Sequence, residues 1–257
     1  MKKIRAELHT HTVLSPCASI EMIPPLIIAE AEAKNIDILA ITDHNSIANI
    51  SAVIEAAAGS NVTVIPGIEL QTQEEIHSIC LFDTLSQVSS FYTFIEPTLP
   101  DLKNNADFFG EQFVVDRTGD FVRREERMLI SSANISINDA FLEVRRLGGL
   151  LIPAHVNRSA YGLLPVLGFV PQDIDLEILE VSKHVDPIEI FAKFPQLMGY
   201  QLIQNGDAHF LHEILGFNQF TVEEFSIQEM IKAMRGQDGR TYNNLYQIIK
   251  ENNNFNE

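Results

Sequence analysis

Short β-branched runs alternate with amphipathic stretches along most of this 257-residue chain, and that rhythm restricts the fold more than any other feature. Ile36–Ile41, Val62–Pro66, Ile76–Phe82, Leu150–Pro153, Leu176–Val181 and Gln201–Gln204 read as strands. Pro24–Lys34, Ser46–Ala58, Ser136–Leu147 and Pro187–Phe194 read as helices between them. Pro24 suits a helix start, where its missing N–H would be unpaired anyway. Asn45 or Ser46 is the expected N-cap of the second helix, and Gly59 its stop. Such alternation predicts an α/β fold, a mostly parallel sheet with helices outside it. The rhythm breaks from about 84 to 133, where a helix over Leu85–Ile95 gives way to a charged stretch with a hairpin turn at Asp116–Asp120. This segment is expected to be an insertion over one barrel mouth. Residues 1–240 should form the domain, and 241–257, asparagine-rich at its end, a frayed polar tail.

Composition narrows the partners. With 35 Asp plus Glu against 18 Lys plus Arg, the formal charge is −17. That disfavours a long nucleic acid or an anionic membrane, both of which are held by Lys and Arg, and leaves open one anion in a local pocket. The two cysteines, Cys17 and Cys80, form no CxxC pair, so neither a disulfide framework nor a thiolate zinc knuckle is expected. Arg5, Glu7, His9 and His11 interrupt any signal-like apolar run after Met1-Lys2-Lys3. A soluble, cytoplasmic protein is the expectation, with oligomeric state unreadable.

The positions of the histidines carry the chemistry. Six of the eight, with one Glu and one Asp, are expected at or just beyond the C-terminal ends of the strands: His9 and His11, His44 after Asp43, Glu69, His77 on the strand after it, His155, and Asp207 with His209. His9 and His11 are two residues apart, so on an extended segment both rings leave the same face; Asp207 and His209 repeat the spacing. Imidazole plus carboxylate is a ligand set for Zn, Mn or Fe, whereas an all-oxygen set would suit Mg or Ca. In an α/β barrel the strand C-termini meet at one mouth. One such histidine is ordinary; the joint pattern is not.

In this ordered set, His9-x-His11, Asp43-His44, Glu69, His77, His155 and Asp207-x-His209, the sequence resembles the PHP (polymerase and histidinol phosphatase) family of metal-dependent phosphoesterases over about residues 6 to 215. The resemblance implies a distorted (β/α)7 TIM-like barrel holding two or three divalent ions. It implies that His9, His11, Glu69 and Asp207 hold the first; His44, His209 and a ligand from the loop after His11 the second; and Glu69, His77 and His155 the third. Where many relatives carry a metal-binding Asp or His in that loop, this chain has Cys17. Either Cys17 is a thiolate ligand, or it is a small buried residue and water completes the shell. Cys80, on the opposite face of its strand from His77, is expected in the core.

Divalent ions would bring the pKa of bound water from 15.7 towards ~7–9, so attack by a metal-bridging hydroxide would need no protein nucleophile. No GxSxG elbow or GxxxxGK[ST] loop is present. Three ions would supply about +6 against roughly −3 from Glu69, Asp207 and a Cys17 thiolate, leaving a locally positive pocket. Arg158 joins Glu69 and Asp207 as a catalytic candidate that would orient the phosphate. Lys183 and His184 are further candidates, weighed against a solvated loop; His212 is expected at the surface, and Asp43 as support for a ligand imidazole or for the turn. The expected function is a phosphoesterase acting on a small phosphomonoester or nucleotide. Three alternatives stay open: exonuclease-like removal of mononucleotides from short oligonucleotides, an amidohydrolase-type metal hydrolase, and a non-catalytic metal-binding module.

Overall fold

The computed structural model describes residues 1–253. Seven strands form one curled sheet in the order β11-β10-β1-β2-β3-β4-β7, and two further pairs stand apart, β5-β6 and β8-β9. The strands are β1 (Lys2–Thr10), β2 (Ile38–Ile41), β3 (Thr63–Gln71), β4 (His77–Leu81), β5 (Phe113–Val115), β6 (Phe121–Arg124), β7 (Leu150–Pro153), β8 (Ile178–Val181), β9 (Gln201–Gln204), β10 (Asn218–Val222) and β11 (Thr241–Asn244). The pairs β1-β2, β2-β3 and β8-β9 are parallel. Strand β4 runs antiparallel to both β3 and β7, and β10 to both β1 and β11, so the main sheet is mixed and not the mostly parallel one expected from the alternation: patterning reports burial, not strand direction.

The curl is completed by single backbone contacts instead of ladders. Val156 N donates to Glu180 O at 2.8 Å, linking the ends of β7 and β8. Beyond β9, Ala208 exchanges two 3.0 Å hydrogen bonds with β1, accepting from His11 N and donating to His9 O. The fold is therefore α/β, as expected, a curled sheet whose mouth collects the C-terminal ends of β1, β2, β3 and β7 and, because β4 is antiparallel, the N-terminal end of β4 with His77.

Alternation sets which side chains enter. Ile38, Ala40, Ile65, Ile79, Leu81, Ile152, Ile178 and Ile203 share one apolar cluster inside the curl, whereas Leu39, Ile41, Ile68, Leu70, Cys80 and Leu151 pack outward under the helices. Glu69, His77 and Glu180 keep the inward parity of Ile65, Ile79 and Ile178. Strand β1 needs a correction to keep it. Ala6 stands opposite Ile38 but Thr10 opposite Ile41, so four steps on β1 answer three on β2. This bulge lets Leu8 and His9 both face inward, and bulges re-aim side chains in just this way.

Several boundaries moved. β3 extends to Gln71 because its second half pairs with β4, so Glu69 lies within the strand and not beyond it. The second helix begins at Ile50, not Ser46. Asn45 is not its cap: it takes a left-handed backbone, φ +47°, and its amide donates to Leu129 O and Ser131 O. The helix expected over Pro187–Phe194 shortens to Ile190–Lys193. The excursion contains the expected helix at Leu85–Ile95 and the β5-β6 hairpin. It rests on the loops after β1 and β2, through Phe113 N to Val13 O at 3.1 Å and Asn49 Nδ2 to Phe113 O at 3.0 Å. The expected tail begins inside the main sheet, since residues 241–244 pair with β10 and Tyr246–Asn253 is helical; residues 254–257 lie outside the described residues.

Candidate metal centre

Glu69 is the centre of the site. Its fully buried carboxylate places Oε1 3.2 Å from His9 Nε2, 3.0 Å from His77 Nδ1 and 3.4 Å from His155 Nε2. Oε2 stands 2.8 Å from His44 Nδ1 and 3.3 Å from His11 Nε2. Asp207 Oδ1 closes the other side, 3.4 Å from His9 Nε2 and 3.5 Å from His11 Nε2. His209 stacks on His11 with centroids 4.1 Å apart. All six histidines and both acids named from the sequence are thus brought together.

The donor atoms fit ions better than they fit one another. His9 Nε2 and His11 Nε2 face each other at 3.3 Å, and two imidazole nitrogens satisfy each other only if one carries a proton. His44 Nδ1, Glu69 Oε2 and both His155 ring nitrogens are buried without a hydrogen bond of acceptable geometry, which a folded protein rarely tolerates in a group with no partner to bind. Three ligand groups lie close enough to share an ion: His9, His11, Glu69 and Asp207; His11, His44 and His209; and His44, Glu69 and His77. The first is the set expected from the sequence. In the second His11 joins His44 and His209, and in the third His44 stands where His155 was expected.

Burial opposes charge throughout, yet neighbouring charges decide the outcome. Against burial, His77, His9 and His44 hold Glu69 well below the usual carboxylate range, and His9 and His11 do so for Asp207. Glu180, Glu69 and Asp207 hold His9 well above the ordinary imidazole range. Glu69 and Cys17 do the same for His44. Burial wins at His77, which falls to about 4, helped by His44 and His155 and resisted by Glu69. Cys17 is exposed, which overturns the reading of it as a small buried residue. Its thiol is drawn down to about 5, against desolvation, by His44 and His209. Cys80 is buried in the core, as expected.

The surrounding contacts fix ring orientation. His11 Nδ1 meets Ser15 Oγ at 2.9 Å, and that hydroxyl donates to Asp43 Oδ1 at 2.8 Å. Asp43 thus supports His11 through Ser15 and, by accepting from Thr12 N at 2.7 Å, also turns the chain. Arg158 lies at the mouth, Nη1 3.0 Å from Asp207 Oδ2 and 45% exposed. Lys183 is a brace, its Nζ donating to Gly206 O and Glu213 Oε1. His184 lines the pocket, of about 490 Å³, that opens beside Cys17, Arg158, Asp207 and His209. His212 is absent from every ligand group among the described residues; its ring packs near Phe210.

Two buried carboxylates escaped the sequence reading. Glu180 faces His9 Nδ1 at 3.1 Å, accepts His155 N at 2.8 Å and accepts Asn205 Nδ2 at 2.7 Å. By accepting a hydrogen bond from His9 Nδ1–H it fixes the ring so that Nε2, beside Glu69 and Asp207, is the nitrogen an ion would take when it displaces the Nε2 proton. Glu180→Gln is expected to weaken metal affinity by about 10–100-fold while every ligand stays in place; calorimetric titration with Mn²⁺ checks it, and an unchanged affinity would refute the role. Glu7 accepts Gly206 N, Leu215 N and Gly216 N at 2.9–3.0 Å. Burial raises its carboxyl to about 7, although those three amides resist the rise. The sequence signal for Glu180 was one acid inside an apolar strand; Glu7, among Lys3, Arg5 and His9, gave none.

The PHP domain profile matches residues 7–140, more than half of the chain. The chain belongs to the PHP domain family. PHP domains bind divalent metals, and the His, Glu and Asp groups described above could hold them. No curated protein matches in sequence. Among solved structures, endonuclease Q from Pyrococcus furiosus, a lesion-specific endonuclease, aligns over 94% of this chain at 20% identity and TM-score 0.70. The chain spans only 58% of that protein's length. A proposed metal-dependent phosphoesterase from Bifidobacterium adolescentis aligns at 16% identity and TM-score 0.53, covering 80% of this chain and 87% of that one. An amidohydrolase from Chromobacterium violaceum with bound sulfate and no metal aligns at 18% identity and TM-score 0.54, covering 82% and 90%. At these identities the likeness is one of fold. No helix among the described residues is long and apolar enough to cross a membrane.

Proposed function

We propose that this PHP protein is a phosphoesterase that hydrolyses a small phosphomonoester or nucleotide at a centre of two or three divalent ions, Zn, Mn or Fe. The convergence of five imidazole nitrogens on the two oxygens of Glu69 carries the reading. His9, His11, Glu69 and Asp207 would hold one ion. His11, His44 and His209 would hold a second, with Cys17 beside them. His44, Glu69 and His77 would hold a third, with His155 at its edge. When bound, such ions acidify water and neutralise charge on phosphoryl oxygens. The chain's own part is to hold these ligands rigidly and to present Arg158 at the mouth, where its guanidinium can exchange Asp207 for a phosphoryl oxygen. The buried floor limits water, and the pocket beside Arg158 and His184 accommodates a leaving group of small-molecule size.

Purified protein loaded with Mn²⁺ or Zn²⁺ is expected to release phosphate from a panel of phosphomonoesters. Occupied sites by mass spectrometry with no phosphate released would overturn the proposal, and turnover of amides or lactones instead would favour the amidohydrolase reading. A second reading, cleavage of a nucleic-acid phosphodiester, is favoured by the fold likeness to endonuclease Q. Against it, four of the excursion's five cationic side chains, Lys103, Arg123, Arg124 and Arg127 but not Arg117, lie within 3.2 Å of a carboxylate. Short oligonucleotides in the same panel separate the two.

Metal binding must displace the protons that His9 and His44 hold. Apparent affinity is therefore expected to rise with pH through neutrality, about tenfold per pH unit for each proton displaced. Titrations at pH 6 and pH 8 check this, and a flat profile would contradict it.

A further inference from the structure

Tyr161 occupies a place that no ligand requires. Its ring lies flat on His77, centroids 4.4 Å apart and planes within 6°, and its carbonyl oxygen accepts the His77 backbone N–H at 3.0 Å. The other ring neighbours of His77 among the described residues, His44 and His155, meet it edge-on or tilted. Tyr161 holds this position with a left-handed backbone, φ +60°, which bulky residues adopt rarely and at a cost.

The turn around it enforces that conformation. Arg158 N donates to His155 O at 2.8 Å and Leu164 N to Val156 O at 3.0 Å. A Cβ on Gly162 would stand 2.2 Å from Arg158 O, so only glycine lets the turn close. The same turn delivers His155, also left-handed at φ +29°, and Arg158 to the mouth. Tyr161 is still 39% exposed, so the strain does not serve to bury its ring. What it achieves is the stack.

We infer that Tyr161 is a positioning residue: it fixes the plane of the His77 imidazole and hence the direction in which His77 presents its nitrogen to the space around Glu69. The last torsion of histidine is broad and only roughly two-fold, so a ligand imidazole needs a neighbour to set it, and Glu69 alone holds one atom of the ring. The inference rests on the metal reading proposed above.

The test is calorimetric titration of chelator-stripped protein with Mn²⁺, together with thermal midpoints of the metal-free forms. Tyr161→Phe keeps the ring and is expected to bind within twofold of the native chain. Tyr161→Leu and Tyr161→Gly lose the stack and should weaken one class of site by about 10–100-fold, the range for groups that orient a ligand from outside. Glycine also relieves the left-handed strain, so the Tyr161→Gly midpoint should not fall, which separates lost orientation from lost folding. Native affinity in the leucine and glycine variants, or a loss in Tyr161→Phe as large as in Tyr161→Gly, would overturn the inference. A native chain that binds no Mn²⁺ would instead overturn the metal reading itself.

Discussion

Glu69→Gln is expected to reduce metal-dependent hydrolysis by more than about 100-fold, because replacing groups that merely orient ligands already costs 10–100-fold. The substitution keeps size and shape. It exchanges one oxygen for an amide NH₂, and both oxygens of Glu69 face imidazole nitrogens: Oε1 those of His9, His77 and His155, Oε2 those of His44 and His11. Whichever way the amide turns, it points donors at nitrogens meant for ions. Removing the charge also leaves the cationic forms of His9 and His44 without their shared counterion. Metal stoichiometry should fall with activity, while circular dichroism of the variant stays native. Hydrolysis within threefold of the native rate would remove Glu69 from the centre of the mechanism.

Gly206→Ala should have the largest effect on stability. A Cβ there would stand 1.7 Å from the backbone oxygen of Glu213, and the segment has little freedom to retreat. Gly206 N is held by Glu7 Oε1 at 2.9 Å and Gly206 O by Lys183 Nζ at 2.7 Å, while Glu213 Oε2 accepts His209 N at 2.9 Å. One methyl group must displace either the Asp207–His209 segment or the turn at 213. A loss above about 3 kcal/mol is expected, in the upper tail of point substitutions. For a domain of this size that lowers Tm by about 6–12 °C, at roughly 2–4 °C per kcal/mol. Metal affinity should fall as well, since Asp207 and His209 are the residues displaced. A thermal midpoint within 2 °C of native would show that the close approach is easily relaxed.

Much of the site was legible because its residues obey a two-residue period at strand ends. His9 with His11, and Asp207 with His209, needed only an extended backbone and a barrel mouth to meet. What stayed hidden has specific physical reasons. The antiparallel β4 reads like any other apolar strand, because sequence patterning reports burial and not direction. The bulge in β1 has no marker: Leu8 and His9 both turn inward through pairing with β2, which no local propensity encodes. Glu180 and Glu7 each look like a stray charge until their partners, from segments far along the chain, are in place. The grouping of ions shifted for a similar reason, since His44 stands 2.8 Å from Glu69 Oε2 and therefore belongs to two ligand sets. Tyr161 gave no signal at all, because its role depends on a positive φ that an aromatic residue seldom adopts. The polar composition after 240 suggested a tail, yet Thr241–Asn244 completes an edge pairing through backbone groups indifferent to side-chain polarity.

The grip of β1 on the segment near residue 216 also dictates when the site is born. Arg5 donates to the carbonyl oxygens of Leu215 and Gly216, and Glu7 accepts the amides of Gly206, Leu215 and Gly216. Asp207 follows His9 by nearly two hundred residues along the chain. At the usual pace of roughly 5–20 residues per second, His9 and His11 wait about 10–40 s for the carboxylate opposite them. Only arrival of the late segment, clamped by Arg5 and Glu7, converts that pair into an enclosed centre.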